Sequence, residues 1–572
     1  MMSSSALAQE APPLPAGQSE VPPPTPLPEV WEPLPVDADG RSVYGLFLVG
    51  RLAASEGEAG IGAEYLRRAQ VLAPDVETLQ LQAFTSSLIG GDLDYAGRLS
   101  PEGATVPPVL SEAGRLVESV QYLVGGDARS AYAVLALNPI GRPHARAGLY
   151  VTPFIAAAAG DWDRALAPVQ GRANDVNTLF HRAHRAQLLE IRGDHEEAEA
   201  EYQRLIASRG GRQLFTLPYG EFLERRGRRA DAVALYDATE AEVGADASLQ
   251  AARARAAGRG RPPALPSLRQ GAAQALENAA LQSSIEGAHE FSAVYLRLAY
   301  ALSPDPETLL NVGVSLAEGD LEVAARNTFA RIGPEAGRYY VEARIQSALS
   351  YQEEDRPEEA LVELERAFAA SPENPRVAYL LAGQLAAMER HEAALALAEG
   401  PLLNTVDQGY EMHFLRGGIY ESLGRLDEAE AELWAALQAR PDDPAVLNYL
   451  GYIWVDSGRR IDQGAELIVR AAEISPGDAN IQDSLGWARY RQGRYEEAVN
   501  ILEGAVDGAP ANAVINDHLG DAYWQVGRRR EAVFQWNRVL TLEPDVALRA
   551  AVERKLDEGL PPGIAGSTDG GS

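Results

Sequence analysis

The side chains best suited to chemistry in this sequence are three histidines. His181 and His184 stand three residues apart, and His195 follows eleven residues later. A spacing of three can bring two imidazoles to one face of a helix, where they could bind a metal ion. However, His195 comes just after Gly193, which is typical of a turn, and no acidic third ligand is fixed on that face. We therefore interpret these histidines as surface residues and predict no metal site.

Carboxylate pairs are the other candidates for chemistry. Glu358–Glu359 and Glu496–Glu497 begin predicted helices, where negative charge is favoured by the helix dipole. The sequence contains no cysteine nucleophile, no phosphate-binding glycine loop and no Gly-x-Ser-x-Gly elbow. We predict a protein that is not an enzyme and binds no cofactor. A metal-dependent or hydrolytic enzyme built on the segment FHRAHRAQ is the alternative.

A repeat of small residues determines where these side chains lie. The spacings between successive members are 34, 35 and 34 residues for Gly417, Gly451, Gly486 and Gly520. Each member is followed seven residues later by a turn glycine, and then by a small residue and a proline. A period of this length indicates stacked repeats, each made of a helix, a turn and a second helix.

The residues of one repeat explain this pattern of helix, turn and second helix. A glycine inside a helix costs roughly 1 kcal/mol relative to alanine, so Gly486 predicts a close approach of the second helix. Gly493 suits a turn that needs a positive φ, and Pro510 cannot continue the second helix. Ala498 begins a series of apolar residues spaced by four and three, so one face of that helix is buried.

Upstream, turn glycines recur every 33 to 35 residues from Gly57 to Gly227, so the array predicts about fourteen helix pairs in total. Between Gly227 and the later repeats, a segment rich in glycine and proline predicts a loop or hinge without helix. The predicted parts are a remnant signal and disordered proline-rich arm (1–40), divergent repeats (41–243), the linker or hinge (244–270), middle repeats (271–408), strong repeats (409–546), a capping helix (547–559) and a disordered tail (560–572).

Residues 410 to 546 resemble the tetratricopeptide repeat. The segment DHLGDAYWQVGRRREAVFQWNRVLTLEP supplies the leucine–glycine pair, the tyrosine, the alanine and the closing proline in order. The resemblance implies an all-α, right-handed superhelical solenoid with a concave groove lined by the first helix of each pair. It also implies which residues point into that groove: Phe414, Asn448, Tyr452, Asp483, Trp487, Tyr490, Arg491, Asp517, Asp521 and Trp524.

These groove positions are aromatic and acidic. Exposed aromatic rings anchor peptide segments, while carboxylates favour a basic or N-terminal group and reject a carboxylate. With no lysine in any repeat, the chain does not resemble adaptors that clamp a C-terminal carboxylate. We therefore expect protein partners, and the sequence sets no oligomeric state. Each aromatic residue could instead pack between neighbouring repeats.

The run from LGYIWVDSGRR to NDHLGDAYWQVGRRREA is similar to bacterial envelope tetratricopeptide proteins, including adaptors of carboxyl-terminal processing proteases. This resemblance implies a periplasmic scaffold that presents a protein substrate to a protease or cell-wall enzyme. Ala6, Leu7 and Ala8 fit the end of a signal peptide whose beginning we expect upstream of the given start. A scaffold or assembly factor in the cytoplasm is the alternative.

Overall charge limits the remaining partners. The 572 residues include 82 acidic and 51 basic side chains, so the net charge is -31 and a phosphate backbone would be repelled. The arginine clusters at 225–229 and 527–530 fall at turns without interleaved aromatic residues, so we do not expect nucleic acid to bind. No stretch approaches eighteen uncharged apolar residues, so we predict no transmembrane segment. Ten prolines between residues 9 and 35 predict a stiff spacer, or a partner-binding arm.

Overall fold

The computed structural model describes residues 35–561 apart from 104, 173, 259 and 406–407. Within these residues the chain forms thirty α-helices, two short 3-10 turns and no strand beyond an isolated bridge between Val36 and Ser42. No helix in this part of the chain is long and apolar enough to cross a bilayer. The predictions for the proline-rich arm before residue 35 and for the tail after 561 lie outside the described residues.

The first thirteen helices form six pairs and one single helix. Their bounds are α1 Val43–Ser55, α2 Ala59–Leu72, α3 Glu77–Gly90, α4 Leu93–Arg98, α5 Pro108–Val124, α6 Ala128–Ala136, α7 Ala145–Ala158, α8 Trp162–Ala165, α9 Val176–Arg192, α10 His195–Ala207, α11 Gly211–Arg225, α12 Arg229–Val243 and the single α13 Ala247–Ala257.

The remaining helices form eight pairs and a last single helix. Their bounds are α14 Leu268–Ile285, α15 His289–Leu302, α16 Pro306–Ala317, α17 Glu322–Phe329, α18 Arg338–Glu353, α19 Pro357–Ala370, α20 Pro375–Ala387, α21 His391–Ala398, α22 Tyr410–Ser422, α23 Leu426–Ala439, α24 Pro444–Asp456, α25 Ile461–Ile474, α26 Ala479–Arg491, α27 Tyr495–Gly508, α28 Ala513–Gln525, α29 Arg529–Thr541 and the single α30 Val546–Glu558. The described residues thus contain fourteen pairs, and the predicted all-α solenoid is confirmed.

The glycines in the first helices allow the pairs to pack closely. A Cβ on Gly486 would lie 2.5 Å from Cγ of Leu502 on the second helix, and one on Gly520 would lie 2.5 Å from Nε1 of Trp536. Real Cβ atoms do not approach other atoms so closely, so a larger residue would push the two helices apart. Gly493 ends the first helix of its pair with a φ of 76°, which explains the recurring turn glycine.

The predicted absence of helix over 244–270 is wrong for its first half. Helix α13 occupies Ala247–Ala257 and begins with the Asp246 side chain accepting a hydrogen bond from the backbone N–H of Leu249. The segment is rich in alanine and arginine, which favour helix, and the aspartate caps its start. Apart from Gly244 before the helix, the glycines and prolines of the segment fall within residues 258–266.

After this connection the chain turns back on itself rather than extending the array. Helix α14 packs on α7, where a Cβ on Gly271 would lie 2.3 Å from the ring of Phe154. Nearby, Nδ1 of His144 lies 2.7 Å from the hydroxyl of Tyr295 on α15. The first helices of the N-terminal pairs are therefore covered by the start of the second segment. One apolar core runs from α2 to α18, so the two segments share a core and the connection does not separate them as a hinge would.

The interpretation of His184 as a surface residue is also wrong. Its side chain is buried, and its Nε2 lies 3.1 Å from the Asn278 amide nitrogen of α14. Burial lowers the pKa of His184 to about 3, so the ring is neutral. The described residues contain no group of His, Asp and Glu side chains that could hold a metal ion. His184 instead helps to join the two segments.

Candidate functional site

The first helices of the last four pairs, α22, α24, α26 and α28, lie side by side and form the face that we call the C-terminal groove. Between α24, α26 and α28 this groove holds a cavity of about 460 Å³. It is lined by Pro444, Ala445, Asn448, Tyr449, Tyr452, Ser475, Asp478, Asn480, Ile481, Asp483, Ser484, Asn512, Val514 and Ile515. No basic side chain is among them, so the local charge favours a cationic group.

Three of the predicted residues lie at the α22–α24 side of the groove, and all are partly buried. Asn448 and Tyr452 line the cavity, and the amide oxygen of Asn448 is buried without a hydrogen-bond partner among the described residues. Phe414 stacks on Tyr410 with ring centres 5.7 Å apart and meets the ring of Tyr449 edge-on at 6.0 Å. This side therefore offers aromatic surface and an unsatisfied acceptor.

The aspartate that lines the cavity from α26 is already paired. Nδ1 of His518 lies 2.9 and 3.0 Å from the two carboxylate oxygens of Asp483, and both residues are buried. Burial alone would lower the pKa of His518, but the Asp483 carboxylate outweighs it and raises that pKa above its ordinary value. Asp483 therefore stabilises the charged form of His518 and, being already paired, is not a free anchor for a partner.

The aromatic residues of α26 form part of a stack. The ring of Trp487 lies 4.7 Å from that of Tyr490 and 4.1 Å from that of His518, and both pairs are nearly parallel. The indole N–H of Trp487 donates to a carboxylate oxygen of Asp456 at 3.1 Å, and the Arg491 guanidinium donates to the Asp456 carbonyl at 2.6 Å. These three predicted residues are held by neighbouring repeats.

Helix α30 covers the far end of the groove and the three predicted residues on α28. The Lys555 ammonium donates to Asp517 at 2.7 Å and to Asp521 at 2.8 Å, and both carboxylates are buried. The indole N–H of Trp524 donates to the carbonyl of Leu560 at 2.9 Å. We expected a partner to meet Asp517, Asp521 and Trp524, but α30 and Leu560 after it already contact these residues.

The charge state of this covered end depends on burial. Burial and the neighbouring Asp517 carboxylate raise the pKa of Asp521 to about 6, against the opposing effect of Lys555. Asp521 also accepts a hydrogen bond from the indole N–H of Trp536 at 3.0 Å. The two aspartates, Lys555 and His518 form a buried charged network that closes the groove at one end.

Sequence reasoning missed several residues that complete the site. Tyr449 lines the cavity, and its hydroxyl donates to Glu421 at 3.1 Å. Asn480 and Asn512 lie on the rim, where Asn512 also caps the start of α28. An asparagine directly before a helix was a usable signal for a cap, whereas nothing in the sequence placed Lys555 over α28.

The comparisons with known proteins agree with this architecture. A tetratricopeptide repeat family model matches residues 410–443, which contain α22 and α23. A TPR repeat-containing protein of Pseudomonas aeruginosa is 28% identical over 190 residues, or 33% of this chain and 32% of that protein. The aligned part of this chain thus spans about a third of the length of that relative. Residues 410–443 are therefore similar to one tetratricopeptide repeat.

Two solved structures align over larger parts of the chain. One is the APC/C hetero-tetramer Cut9–Hcn1, which covers 90% of this chain and 96% of the solved chain at 13% identity with a TM-score of 0.38. The other is a tetratricopeptide repeat protein from Parabacteroides merdae, which covers 43% of this chain and 97% of its own at 16% identity with a TM-score of 0.35.

Proposed function

We propose that this protein is a non-enzymatic scaffold that binds an extended segment of another protein in the open part of the C-terminal groove. The observation that carries this proposal is the cavity of about 460 Å³ between α24, α26 and α28. It is a part of the groove that α30 does not cover. The buried, unpaired amide oxygen of Asn448 at its wall favours a ligand that brings a hydrogen-bond donor.

The lining residues indicate the chemistry of the bound segment. Asn448, Asn480 and Asn512 come from three successive repeats, so their amides can meet the backbone N–H and C=O groups of an extended peptide. Tyr449 and Tyr452 add flat apolar surface that can anchor a side chain. Asp478 is an exposed carboxylate on the lining and no basic side chain is present there, so we expect the segment to carry a positive charge or a free N-terminus.

We further propose that the protein works in the bacterial cell envelope, where it presents a substrate to a protease or a cell-wall enzyme. Support comes from the residues Ala6, Leu7 and Ala8 and from the similarity of the last repeats to envelope adaptors. A cytoplasmic scaffold is the second candidate. The mass of the native protein separates them, since an exported chain would begin near Gln9 and a cytoplasmic one would keep the residues before it.

The binding proposal is tested by affinity purification from the native organism with the full upstream reading frame. A tagged wild-type chain is compared with Tyr452→Ala in the groove and with Asn500→Ala, an exposed position on the opposite face. We expect a protein partner to be recovered with the wild type and with Asn500→Ala, and at least fivefold less of it with Tyr452→Ala. Equal recovery with all three chains would contradict a site in the groove. Circular dichroism should show the same helical content in each.

A further inference from the structure

A second cavity lies on the face opposite the groove, between the second helices α23 and α25. It measures about 500 Å³, and two tryptophans form part of its wall. The rings of Trp434 and Trp454 lie 6.2 Å apart at an interplanar angle of 28°. Trp454 is buried, but Trp434 is 47% exposed. Trp434 therefore presents part of its ring to solvent at the pocket wall, where a bound group can contact it.

The chain itself shows which group these rings accept. The guanidinium of Arg460 lies 4.8 Å from the centre of the Trp454 ring and pairs with Glu430 at 2.7 Å. This is the combination of an aromatic face and a carboxylate that binds a flat cation. The pocket also holds an exposed carboxylate, Glu466, that has no ion-pair partner among the described residues. Trp434 and Glu466 therefore offer a second aromatic face and a second carboxylate to a bound cation.

A further group on the same wall lacks a partner. The indole N–H of Trp454 is buried and has no acceptor among the described residues. An unsatisfied buried donor is costly, and an acceptor on a bound segment would remove that cost. The three carboxylates of Asp427, Glu430 and Glu466 outnumber the paired Arg459 and Arg460, so the net charge disfavours a phosphate group as that acceptor. A backbone carbonyl carries no charge and is compatible with them.

We propose that this outer pocket is a second protein-binding site, which accepts an arginine side chain of a partner between Trp434 and Glu466. The guanidinium stacks on the exposed face of Trp434 while Glu466 accepts its hydrogen bonds. A planar guanidinium fits this geometry better than a lysine ammonium, since only the former can stack and donate in its plane at once. The site lies on the opposite face from the C-terminal groove and does not depend on it.

The test uses the full chain labelled with 5-fluorotryptophan and read by fluorine NMR at 0.15 M salt. The chain has seven tryptophans, and Trp434→Phe identifies the resonance of Trp434. The probe is an acetylated, amidated glycine–serine peptide with two arginines, and the control peptide carries citrulline, which is isosteric and uncharged. We expect the arginine peptide to shift the Trp434 resonance in a saturable way and the citrulline peptide to leave it unchanged.

Two variants measured by peptide fluorescence anisotropy complete the test. We expect Trp434→Ala to weaken binding at least fivefold and Glu466→Gln at least threefold. The control Glu496→Gln removes an equally exposed carboxylate from the next second helix and should leave the affinity unchanged, which rules out attraction by net charge alone. Glu466→Gln cannot act through misfolding, because its side chain is exposed. An unshifted Trp434 resonance, equal effects of both peptides, or equal affinities of the two glutamine variants would overturn the proposal.

Discussion

Replacing Lys555 by methionine tests whether the buried charged network holds α30 in the groove. Lys555 is the only lysine of the chain, and its side chain is 16% exposed while those of Asp517 and Asp521 are 10% and 7% exposed. Methionine keeps most of the apolar stem and removes the charge. Breaking a buried ion pair by removing one partner costs about 3–5 kcal/mol, because the other charge stays buried and uncompensated.

The cost should depend on pH. Asp521 is about half protonated near pH 6, so the loss of Lys555 should cost less there than at higher pH. Above pH 6, keeping a proton on Asp521 becomes harder by up to about 1.4 kcal/mol for each pH unit. Near pH 8.5 the variant therefore bears the full cost of an uncompensated buried carboxylate. The apolar contact of α30 opposes this cost. It comes chiefly from the fully buried Val552 and is worth roughly 1.5–3 kcal/mol. We expect α30 to detach at pH 8.5 and to stay docked at pH 6.

Hydrogen exchange followed by mass spectrometry measures this directly for residues 546–560. At pH 8.5 we expect exchange in Lys555→Met to rise about a hundredfold or more, since 1.4 kcal/mol corresponds to a factor of ten. Lys555→Arg keeps the charge and should change exchange far less. Adding Asp517→Asn and Asp521→Asn to Lys555→Met should restore protection. Exchange within threefold of the wild type at pH 8.5 would refute the role given to the ion pairs.

Three further predictions concern packing, pH and the connection between segments. Gly486→Ala should lower the free energy of unfolding by about 1–3 kcal/mol because its Cβ meets Leu502, whereas the control Gly504→Ala meets nothing within 4 Å and should raise it by up to about 1 kcal/mol; denaturant titration measures both. The last repeats should melt at a higher temperature at pH 6 than at pH 8, because the pKa of His518 is raised on folding and its contribution to stability falls as pH rises from its unfolded value of about 6.5 through the raised pKa. His518→Asn should reduce that difference, and an unchanged difference would show that His518 does not contribute to it. A protease site inserted within 258–266 should give two fragments that still co-elute in gel filtration after cleavage, because α14 packs on α7; separate elution would contradict the shared core.

The sequence predicted the local architecture well because the signals for it are local. A glycine such as Gly486 that must meet Leu502, a turn that needs Gly493, and a proline that ends a helix all lie within one repeat. Because these signals recur with a fixed period, counting them predicted about fourteen helix pairs. Helix α13 was missed because glycines and prolines at its C-terminal side outweighed an alanine-rich stretch with an aspartate cap.

The candidate site was predicted less completely, because its state depends on contacts between distant parts of the chain. The ten groove positions follow from the repeat itself, which carries no information about what covers the groove. Lys555 lies 38 residues after Asp517, and α14 meets α7 more than a hundred residues away in sequence. Neither contact has a periodic signal. The open cavity at Asn448 and Tyr452 therefore emerged only from the packed structure.

Site-specific photocrosslinking in the native organism shows whether a protein partner binds in the C-terminal groove. A photoreactive phenylalanine analogue is placed at Tyr452 in the open cavity, and at Asn500 on the opposite face as the matched control. We expect a discrete crosslinked protein at Tyr452, joined through an extended segment that carries a positive charge or a free N-terminus, and no such product at Asn500. Crosslinking to the same protein with equal yield at both positions, or at Asn500 alone, would contradict a binding site in the C-terminal groove.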